Sequence, residues 1–566
     1  MNVRFVDGAV RRLAVVTVGL VALGSLAATP LVASAADPST TLASSNPYDF
    51  TPRVLDGRVL AVKRIGDVVV VGGSFTQIQN SGANQPILNK PYLFAFDANT
   101  GDILQSFNAT PNDAVRTIVP APSGDSVYIG GAFGQVNGVG ASRVAQVRLS
   151  DGSRTSFRPP GIDNEVYEMR LVSNTLLIGG AFATVAKQPK VGLAALDPTT
   201  GALLPYATPN FGGTAWGTGI TTVRKLDVTP DGSRLIAIGN FDNVGGTARL
   251  QIAMLDLGPA GATLSDWSTD RYNARTSTGS NLCASAFDSY MRDVDFSPDG
   301  SFFVVVTTGA YRAGTLCDSS ARWETARSGP QQPTWVDYSG GDTSWGVEVA
   351  GPIVYIGGHF RWWNNPYFGD KAGPGAVART GIAALDSRNG LPLSWNPTRE
   401  RGVGLFDFDV TNTEVWAGSD TDIWAGEYRP RLAGFPLAGG SSLPADRVAT
   451  LPADVVLLDS AAAGVSQESR YFDGSAVNGT VSAPAADDWS QARGAVMIDG
   501  TVYTGWSDGT LRARSYDGTT FGPSRTMDLY ANGYSTDSRF FGIDIPRITG
   551  MFYDRANARL YYTLKS

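Results

Sequence analysis

One recurring phrase constrains the fold of this chain more than any other feature. A short β-branched strand runs into glycine, then a small residue and an aromatic, as in VVVVGGSF, VYIGGAF and VYIGGHF. Seven copies, some of them degenerate, are marked by their last glycines: Gly73, Gly131, Gly180, Gly239, Gly309, Gly358 and Gly418. Because the copies recur every 49 to 70 residues, each is expected to form one supersecondary unit of a repeat architecture.

The rest of each unit has the pattern of antiparallel strands. Before the glycine comes a strand that ends in a tight turn, as in LDVTPDGSRL, where Asp-Gly supplies the positive φ of a hairpin. After the glycine come a third strand with its turn, as in IAALDSRNG, and a fourth segment with an aromatic, as in LSWNPTRE. Four strands per unit, repeated seven times, predict an all-β fold, a seven-bladed β-propeller.

The ring of a propeller has to close, since otherwise the edges of its sheets stay unpaired. The seventh unit lacks a clear fourth strand, and a matching phrase, PYDFTPRV, occurs at residues 47–54. We therefore predict that this N-terminal strand pairs with the seventh blade and closes the ring.

The predicted domains follow from these patterns. Residues 36–46 form a linker and residues 47–437 the propeller. Residues 438–566 form a smaller all-β module with Asp-Gly hairpins and tyrosine-bearing strands such as RLYYTL. We expect this C-terminal module to be propeller-like and either incomplete or differently finished.

The first residues have the features of a secretory signal peptide. An arginine-bearing start leads into an apolar run over residues 13–28 and then the triplet Ala33-Ser34-Ala35. The run is 16 residues long, shorter than the ~20 needed to span a bilayer, so cleavage after Ala35 is favoured over a permanent anchor. The mature protein is expected to be secreted, extracellular or surface-associated, monomeric and free of the membrane. Arg11 and Arg12 leave the choice between Sec and Tat export open.

Charge and cysteine content restrict the classes of binding partner and the cellular compartment that can be expected. The chain has a formal net charge of -7, which argues against nucleic acid because phosphate binding needs clustered Lys and Arg. Its two cysteines, Cys283 and Cys317, are expected to form a disulfide in an oxidising compartment. One histidine and two cysteines are too few to suggest a zinc site.

Taken together, the phrases resemble a family of secreted actinobacterial β-propellers built from delta-60-type repeats. The resemblance covers about residues 53–437 and rests on motifs such as GGHFRWWNNP, CDSSARWE, QPTWVDYSGGD and GIAALDSRNGLPLSWNP. It implies the propeller fold and secretion. Members of this family largely lack an assigned activity, so the resemblance implies little about chemistry.

Non-repeated residues gather on one predicted face. In an antiparallel blade, the loop entering the first strand and the loop joining the second and third strands lie on the same face. Units five to seven place unusual charged, amide and aromatic residues in these loops. The predicted ligand-binding residues are His359, Arg361, Trp362, Trp363, Asn364, Asn365, Asp342, Arg401, Asp420 and Asp422.

Each of these residues also has a structural interpretation. His359 occupies the variable position of the repeat phrase, where a packed, hydrogen-bonded side chain is sufficient. Trp362 and Trp363 either cap a long loop or offer rings for stacking. Asp420 and Asp422 carry oxygens that suit Ca²⁺, but an Asx-rich turn is the favoured explanation, and no other metal or cofactor is expected.

The favoured function is non-enzymatic binding of an extracellular glycan, a cell-wall polymer or a protein on the face of blades 5–7. The alternative is a polysaccharide hydrolase with two carboxylates, or a lyase with His359 as base beside Arg361 or Arg401. ALDPTTG also resembles the repeats of quinone-dependent dehydrogenases, but the tryptophan that usually follows occurs only at Trp395. A fourth possibility is a scaffold that displays the C-terminal module. No catalytic residue is assigned.

Overall fold

The computed structural model describes residues 40–565 except 276–280, 311, 313, 367, 374–375, 444–452, 459–466, 473–476, 483–488, 517–520, 528–543 and 555–558. The predicted signal peptide, residues 1–35, lies outside the described residues. Within them the protein is all-β, as predicted, and its one helical element is the short 3-10 turn Ile545–Arg547. No helix in this part of the chain is long and apolar enough to cross a membrane.

Residues 59–436 form seven antiparallel sheets in chain order, which we number 1 to 7. The strands of sheets 1 to 3 are Val59–Ile65, Val68–Gly73 and Leu93–Asp97; Val115–Pro120, Ser126–Gly131 and Val144–Arg148; and Val166–Val172, Thr175–Gly180 and Leu193–Leu196. Sheet 4 contains Thr222–Val228, Arg234–Asn240, Ile252–Gly258 and Gly261–Leu264. Sheet 5 contains Met291–Phe296, Phe302–Thr307, Ser319–Glu324 and Trp335–Tyr338. Sheets 6 and 7 contain Ser344–Ala350, Ile353–Gly358 and Ile382–Asp386, and Leu405–Val410, Glu414–Ser419 and Leu432–Pro436.

The first strands of the sheets lie side by side around a common centre. Each packs against the first strand of the next sheet, and that of sheet 7 packs against that of sheet 1. The second strands, such as Ser126–Gly131 and Ile353–Gly358, are buried along their whole length. Continuous apolar runs of this kind suit strands that are covered on both faces. This radial order is that of a β-propeller.

The packing between sheets explains the repeated glycine pair. A Cβ on Gly357 would lie 2.4 Å from the Leu405 side chain of the next sheet, and one on Gly72 would lie 2.7 Å from Val115. The marker Gly358 would meet the carbonyl oxygen of Thr343 at 2.4 Å. A side chain at these positions would clash with the adjacent strand, which explains the glycine at the register of Gly357 in sheets 1, 2, 3, 6 and 7. In sheets 4 and 5 this register is taken by Ile238 and Val306.

The predicted fourth strand is regular in only part of the molecule. Sheets 4 and 5 have a paired fourth strand, whereas sheets 1, 2, 3 and 6 hold the corresponding segment by one isolated bridge. These segments contain prolines, as in LSWNPTRE, and proline cannot donate to a ladder. Their aromatic residues, Phe107, Phe157 and Trp395, are nevertheless buried as part of the core.

The loop between the second and third strands forms a small hairpin in six sheets, a feature that the repeat pattern does not predict. In chain order the hairpins are Gln77–Gln79 with Ile87–Asn89, Gln135–Val136 with Val139–Gly140, Thr184–Val185 with Gln188–Pro189, Asn243–Val244 with Thr247–Ala248, Trp362–Trp363 with Val377–Ala378, and Ile423–Trp424 with Glu427–Tyr428. Arg53–Val54 and Phe211–Gly212 each add a third strand to one of them.

In sheet 5 this loop holds Cys317 of the predicted disulfide, whereas Cys283 lies in the loop that enters the first strand. Cys283 and Cys317 are bonded, with a Cα–Cα distance of 5.7 Å, and both are buried. Gly309 lies against the bond at φ +122°, where an added Cβ would come within 2.8 Å of the Cβ of Cys283. The sequence-based prediction of this disulfide is therefore confirmed.

The segment before sheet 1 runs along the third strand of sheet 7. The backbone N–H of Tyr48 donates to the carbonyl of Gly434 at 2.8 Å, and that of Ser44 donates to the carbonyl of Pro436 at 2.7 Å. The phenol of Tyr48 donates to Glu414 at 3.1 Å, and its ring centroid lies 5.9 Å from that of Trp416.

The C-terminal residues form further antiparallel strands. Thr41–Leu42 first pairs with Ser441–Ser442 at the end of the propeller. The later strands are Ala453–Leu458, Gln467–Phe472 and Val477–Ser482; Ala492–Ile498, Thr501–Trp506, Leu511–Ser515 and Arg525–Thr526; and Ile548–Asp554 with Arg559–Leu564. A Cβ on Gly494 would lie 2.5 Å from Ile548, so the first strands of these last two sheets also approach closely.

Removing the disulfide is expected to destabilise the propeller while leaving its architecture intact. Its sequence separation is 34 residues, and closing a loop of that size restricts the unfolded chain by about 4 kcal/mol. We expect a Cys283→Ala/Cys317→Ala variant to unfold at lower urea concentration than the oxidised protein. Reducing agent should destabilise the wild type and leave the double variant unchanged; equal sensitivity of the two proteins would contradict the prediction.

Candidate functional site

The predicted ligand-binding residues lie on one face, which we call the front face. It consists of the loops that enter the first strands and those that join the second and third strands; the other turns form the back face. All ten predicted residues belong to front-face loops of sheets 6 and 7 or to their hairpins. Nothing in their placement tests whether they bind a ligand, so that role stays a prediction.

Four of these residues form one network between sheets 6 and 7. Arg401 bonds Asp342 at 2.8 Å, and Arg361 pairs with the same carboxylate at 3.2 Å. The Nε of Arg401 also donates to the carbonyl of His359 at 2.7 Å. Burial raises the pKa of Asp342, and the two arginines oppose that rise. The network can orient the His359 loop, but both guanidinium groups already have a protein partner.

The aromatic and amide residues of the same loop are largely buried. Trp363 is 0% exposed and packs edge-on against Phe360 at 5.1 Å, whereas Trp362 is half-buried. Asn365, also 0% exposed, donates to the carbonyl of Lys371 at 2.9 Å and accepts from a backbone N–H. Asn364 is buried with φ +51°. The loop therefore folds around these side chains, and Trp363 has no ring face open to solvent.

Asp420 and Asp422 hold loops of sheet 7. Asp420 accepts from the backbone N–H of Val403 at 2.8 Å and of Gly404 at 3.2 Å. Asp422 pairs with Arg431 at 2.7 Å. No group of three or more His, Cys, Asp or Glu side chains in the described part of the chain is arranged to hold a metal ion.

Charged residues line a central cavity that the sequence analysis did not single out. The cavity has a volume of about 240 Å³ and lies where the first strands meet. Its titratable side chains are Lys63, Arg116, Glu168, Arg170, Lys225, Asp227, Asp293, Asp295, Glu348 and Asp407. A sequence pattern could have predicted this cavity: charged residues occur at alternate positions of otherwise apolar strands, as in YEMRL, RKLDV, RDVDF and FDFDV.

Several of these acids join one sheet to the next. Each accepts a hydrogen bond from a backbone N–H in the first strand of the following sheet. The pairs are Asp227 with Phe296 at 2.7 Å, Asp293 with Val347 at 3.1 Å, Asp295 with Val349 at 2.7 Å, Asp407 with Val62 at 2.7 Å and Asp409 with Arg64 at 2.6 Å. Through the last two, sheet 7 is bonded to sheet 1.

Cations offset only part of this buried negative charge. Glu168 is bonded by Lys225 and by Arg170, each at 2.7 Å. Burial opposes its ionisation, but the two cations outweigh burial and lower the pKa of Glu168 to about 2. Lys63 pairs with Asp409. Arg170 also pairs with Asp227 at 2.7 Å. Among the described residues, Asp293, Asp295, Glu348 and Asp407 have no cation at this distance, and Lys225 lies 3.8 Å from Asp293.

Those remaining acids are difficult to ionise. Burial, despite the nearby Lys63, and then the charges of Asp409 and Asp407 raise the pKa of Glu348 to about 8. Burial likewise raises the pKa of Asp407 to about 7 and that of Asp293 to about 6. Near neutral pH the cavity therefore holds protons that the same side chains would release in water.

The front face also carries the exposed apolar side chains of the propeller. Among the described residues up to 443, every large apolar side chain that is exposed lies in a front-face loop or hairpin. These residues are Ile87, Val139, Ile220, Phe287, Phe368, Val403 and Tyr428. None of them lies in a back-face turn, so in this part of the chain the two faces differ in the exposure of large apolar side chains.

The raised pKa of Glu348 predicts a specific pH dependence of stability. Its pKa is higher in the folded protein than in the unfolded chain, so folding takes up a proton between about pH 5 and pH 8, and stability falls as pH rises through that window. Glu348→Gln should raise the free energy of unfolding at pH 8 by roughly 1–3 kcal/mol and change it little at pH 5, as measured by urea denaturation.

The opposite sign is expected for the matched variant Glu168→Gln, because this ionised carboxylate holds Lys225 and Arg170. That variant should be destabilised at both pH values. An equal effect of Glu348→Gln at pH 5 and pH 8 would show that ionisation of Glu348 does not limit stability.

Comparisons with known proteins add little to this description. No family model matches the chain, and no curated protein matches it. Among solved structures the chain is similar to the WD40 β-propeller domain of Doa1, with 10% sequence identity, a TM-score of 0.40, and coverage of 70% of this chain and 97% of that one. That TM-score is too low to support an argument, so the identification of this protein as a β-propeller rests on the order of its sheets.

Proposed function

We propose that this protein is an extracellular, non-enzymatic binding protein whose front face holds a partner protein. The observation that carries the proposal is the gathering of the exposed large apolar side chains on that face. Scattered apolar residues on a surface need no explanation, but their concentration on one surface is typical of an interaction site. Polar groups such as the network of Asp342, Arg361 and Arg401 would form the rim.

The platform for this face is a seven-bladed ring in our proposal, closed by residues 44–54. Three observations support closure. The first strands of sheets 7 and 1 pack together, Asp407 and Asp409 bond backbone N–H groups of sheet 1, and the segment around Tyr48 is bonded to the third strand of sheet 7. A ring closed in this way holds the front-face loops at fixed positions.

A protein partner is favoured over a glycan by the state of the tryptophans. A glycan site of the kind expected from the sequence needs exposed rings for stacking. Trp363 is fully buried and Trp362 is half-buried, whereas Ile220 and Val403 are aliphatic residues at 52% and 41% exposure. Aliphatic surface of this kind suits the apolar core of a protein interface better than it suits a sugar.

A polysaccharide lyase is the second candidate, because one observation favours it. The backbone carbonyl of His359 accepts from Arg401, and the imidazole Nδ1 is hydrogen-bonded to the carbonyl of Gly402. A base and the cations Arg401 and Arg361 therefore occur in one loop cluster, the combination that such chemistry needs. Against it, Asp342 already holds both guanidinium groups. A His359→Ala variant that keeps any measured lyase activity would exclude this role of the histidine.

Secretion is part of the proposal. It is supported by the signal-peptide pattern at residues 1–35 and by the disulfide between Cys283 and Cys317, since disulfides persist in oxidising compartments.

Closure of the ring is tested by weakening the N-terminal contact. Tyr48→Ser removes the ring that lies near Trp416 and the bond to Glu414, and should lower the free energy of unfolding by about 2 kcal/mol, measured by urea denaturation. The control is Val139→Ser, because Val139 is 53% exposed and lies in the hairpin of sheet 2. Equal stability of the two variants would argue against closure by this segment.

Partner binding is tested by photo-crosslinking from defined positions. A photoreactive residue placed at Val403 or Ile220 should form adducts with the same protein from the extracellular medium. The control position is Asp67, which is exposed in a back-face turn and should form none. Equal labelling from Asp67 would contradict the assignment of the face, and adducts removed by glycosidase rather than by protease would indicate a glycan partner.

A further inference from the structure

The mouth of the central cavity on the front face carries a layer of arginine and aromatic side chains. In each first strand one residue is skipped in the pairing with the second strand, as Arg224 is between Val223 and Lys225. A bulge of this kind re-aims the skipped side chain. The arginine and aromatic residues that are skipped in this way form the layer: Arg116, Arg224, Arg292, Tyr167, Trp345 and Phe406.

Two arginines of this layer converge on one indole ring. The guanidinium carbon of Arg292 lies 4.6 Å from the ring centroid of Trp345, and that of Arg224 lies 5.6 Å from it. Arg224 belongs to sheet 4 and Trp345 to sheet 6, so this contact reaches past sheet 5 across the mouth. Arg116, from sheet 2, lies 5.2 Å from the ring of Tyr167 in the same layer.

These cations are poorly supplied with hydrogen-bond partners. Arg116 pairs with Glu165 at 2.8 Å. Arg292 is 3% exposed, and one of its terminal nitrogens donates to two backbone carbonyls. Its Nε has no hydrogen-bond partner among the described residues. Within the same part of the chain Arg224 makes cation-π contact with Trp345 but has no hydrogen bond or ion pair.

Electrostatics at the mouth also favour an incoming negative charge. Burial and then neighbouring Arg224 lower the pKa of Arg292, and burial lowers the pKa of Arg224, with Arg116 adding repulsion. Asp293 and Asp288 act on Arg224 and Asp318 acts on Arg292 in the opposite direction, without reversing the shift. Arg292 is buried and Arg224 is half-buried, and a carboxylate would supply both the opposite charge and the hydrogen-bond acceptors that they lack.

We propose that this mouth is an anion subsite that takes a carboxylate of an acidic polypeptide segment bound on the front face. The inference rests on the proposed function and names the chemistry of its partner. The apolar residues beside the mouth indicate a polypeptide: Phe287 contacts Arg292 at 4.6 Å and is itself 40% exposed, and Ile220 and Val403 precede the first strands of sheets 4 and 7.

Two features restrict the chemical class and the size of the ligand that the mouth can hold. The Trp345 ring is already in contact with Arg224 and Arg292 and also packs against Phe406 at 5.5 Å, so it offers a poor platform for a sugar ring. The next layers of the cavity contain Glu168, Asp293 and Asp407. Because these acids would repel a threaded polyanion, the carboxylate is held at the mouth and a single acidic side chain or chain end is sufficient.

The test measures binding of a short oligo-L-glutamate peptide to the full chain by calorimetry, with oligo-L-glutamine as the neutral probe. We expect the wild type to bind the glutamate peptide only. Arg224→Gln should weaken that binding about tenfold or more, as loss of a charged hydrogen-bonding group does, and Arg224→Lys should restore part of it. The matched control Arg148→Gln alters an exposed arginine of a back-face turn and should change binding less than about twofold.

Other outcomes would overturn the inference. They are absence of glutamate binding, equal loss in Arg148→Gln, or tighter Arg224-dependent binding of oligogalacturonate, which would make the ligand an acidic glycan. Unchanged near-ultraviolet circular dichroism of Arg224→Gln shows that the fold is intact. If a partner is still captured at Val403 while oligoglutamate fails to bind, the proposed function stands and this inference fails. If no partner is captured, Arg224-dependent glutamate binding still supports the subsite.

Discussion

The hydrogen bonds that backbone N–H groups of one sheet donate to carboxylates of the preceding sheet are the interaction on which the molecule depends. The first strand of every sheet is an edge strand, and edge groups facing the centre have no ladder partner. Asp227, Asp293, Asp295, Asp407 and Asp409 supply acceptors to the neighbouring sheet. Sheets 4 and 5, 5 and 6, and 7 and 1 are thereby joined at their inner edges as well as through their packed faces. Replacing such an acid with an apolar residue would leave a buried donor unsatisfied.

This solution concentrates negative charge at the centre, and much of the remaining electrostatic pattern follows from it. Lys225 and Arg170 neutralise Glu168, and Lys63 neutralises Asp409. The surplus acids respond by holding protons, as the raised pKa values of Glu348 and Asp407 show. The arginines of the mouth lie above this acidic interior and face the side on which the exposed apolar residues gather. Arginines above an acidic interior, with exposed apolar side chains on the same face, are the features on which the proposed binding of a ligand rests.

The repeat made much of the fold predictable. Close approach of neighbouring sheets favours glycine at the same place in most units, so Gly72 and Gly357 leave a periodic trace in the sequence. Ile238 and Val306 take this register in sheets 4 and 5. The disulfide could be predicted equally well, because two cysteines allow only one pairing. The candidate site was less predictable. His359, Arg361, Arg401 and Asp342 do come together, but Trp363 and Asn365 are buried, because the loop folds back as a hairpin whose pairing spans residues that carry no periodic signal.

The unit of the fold, its β-structure and the face that carries the unusual loops could be predicted, since they depend on residues near one another in the chain and on a period. Which side chains share a site depends on how the sheets pack. Arg224 and Trp345 belong to different sheets, and their contact depends on how the sheets are arranged around the centre. The charges at alternate positions of the first strands are visible in the sequence. That they line one cavity and join neighbouring sheets follows only from the way these strands pack together. Distances between sheets are set by packing of the whole ring, which no local pattern encodes.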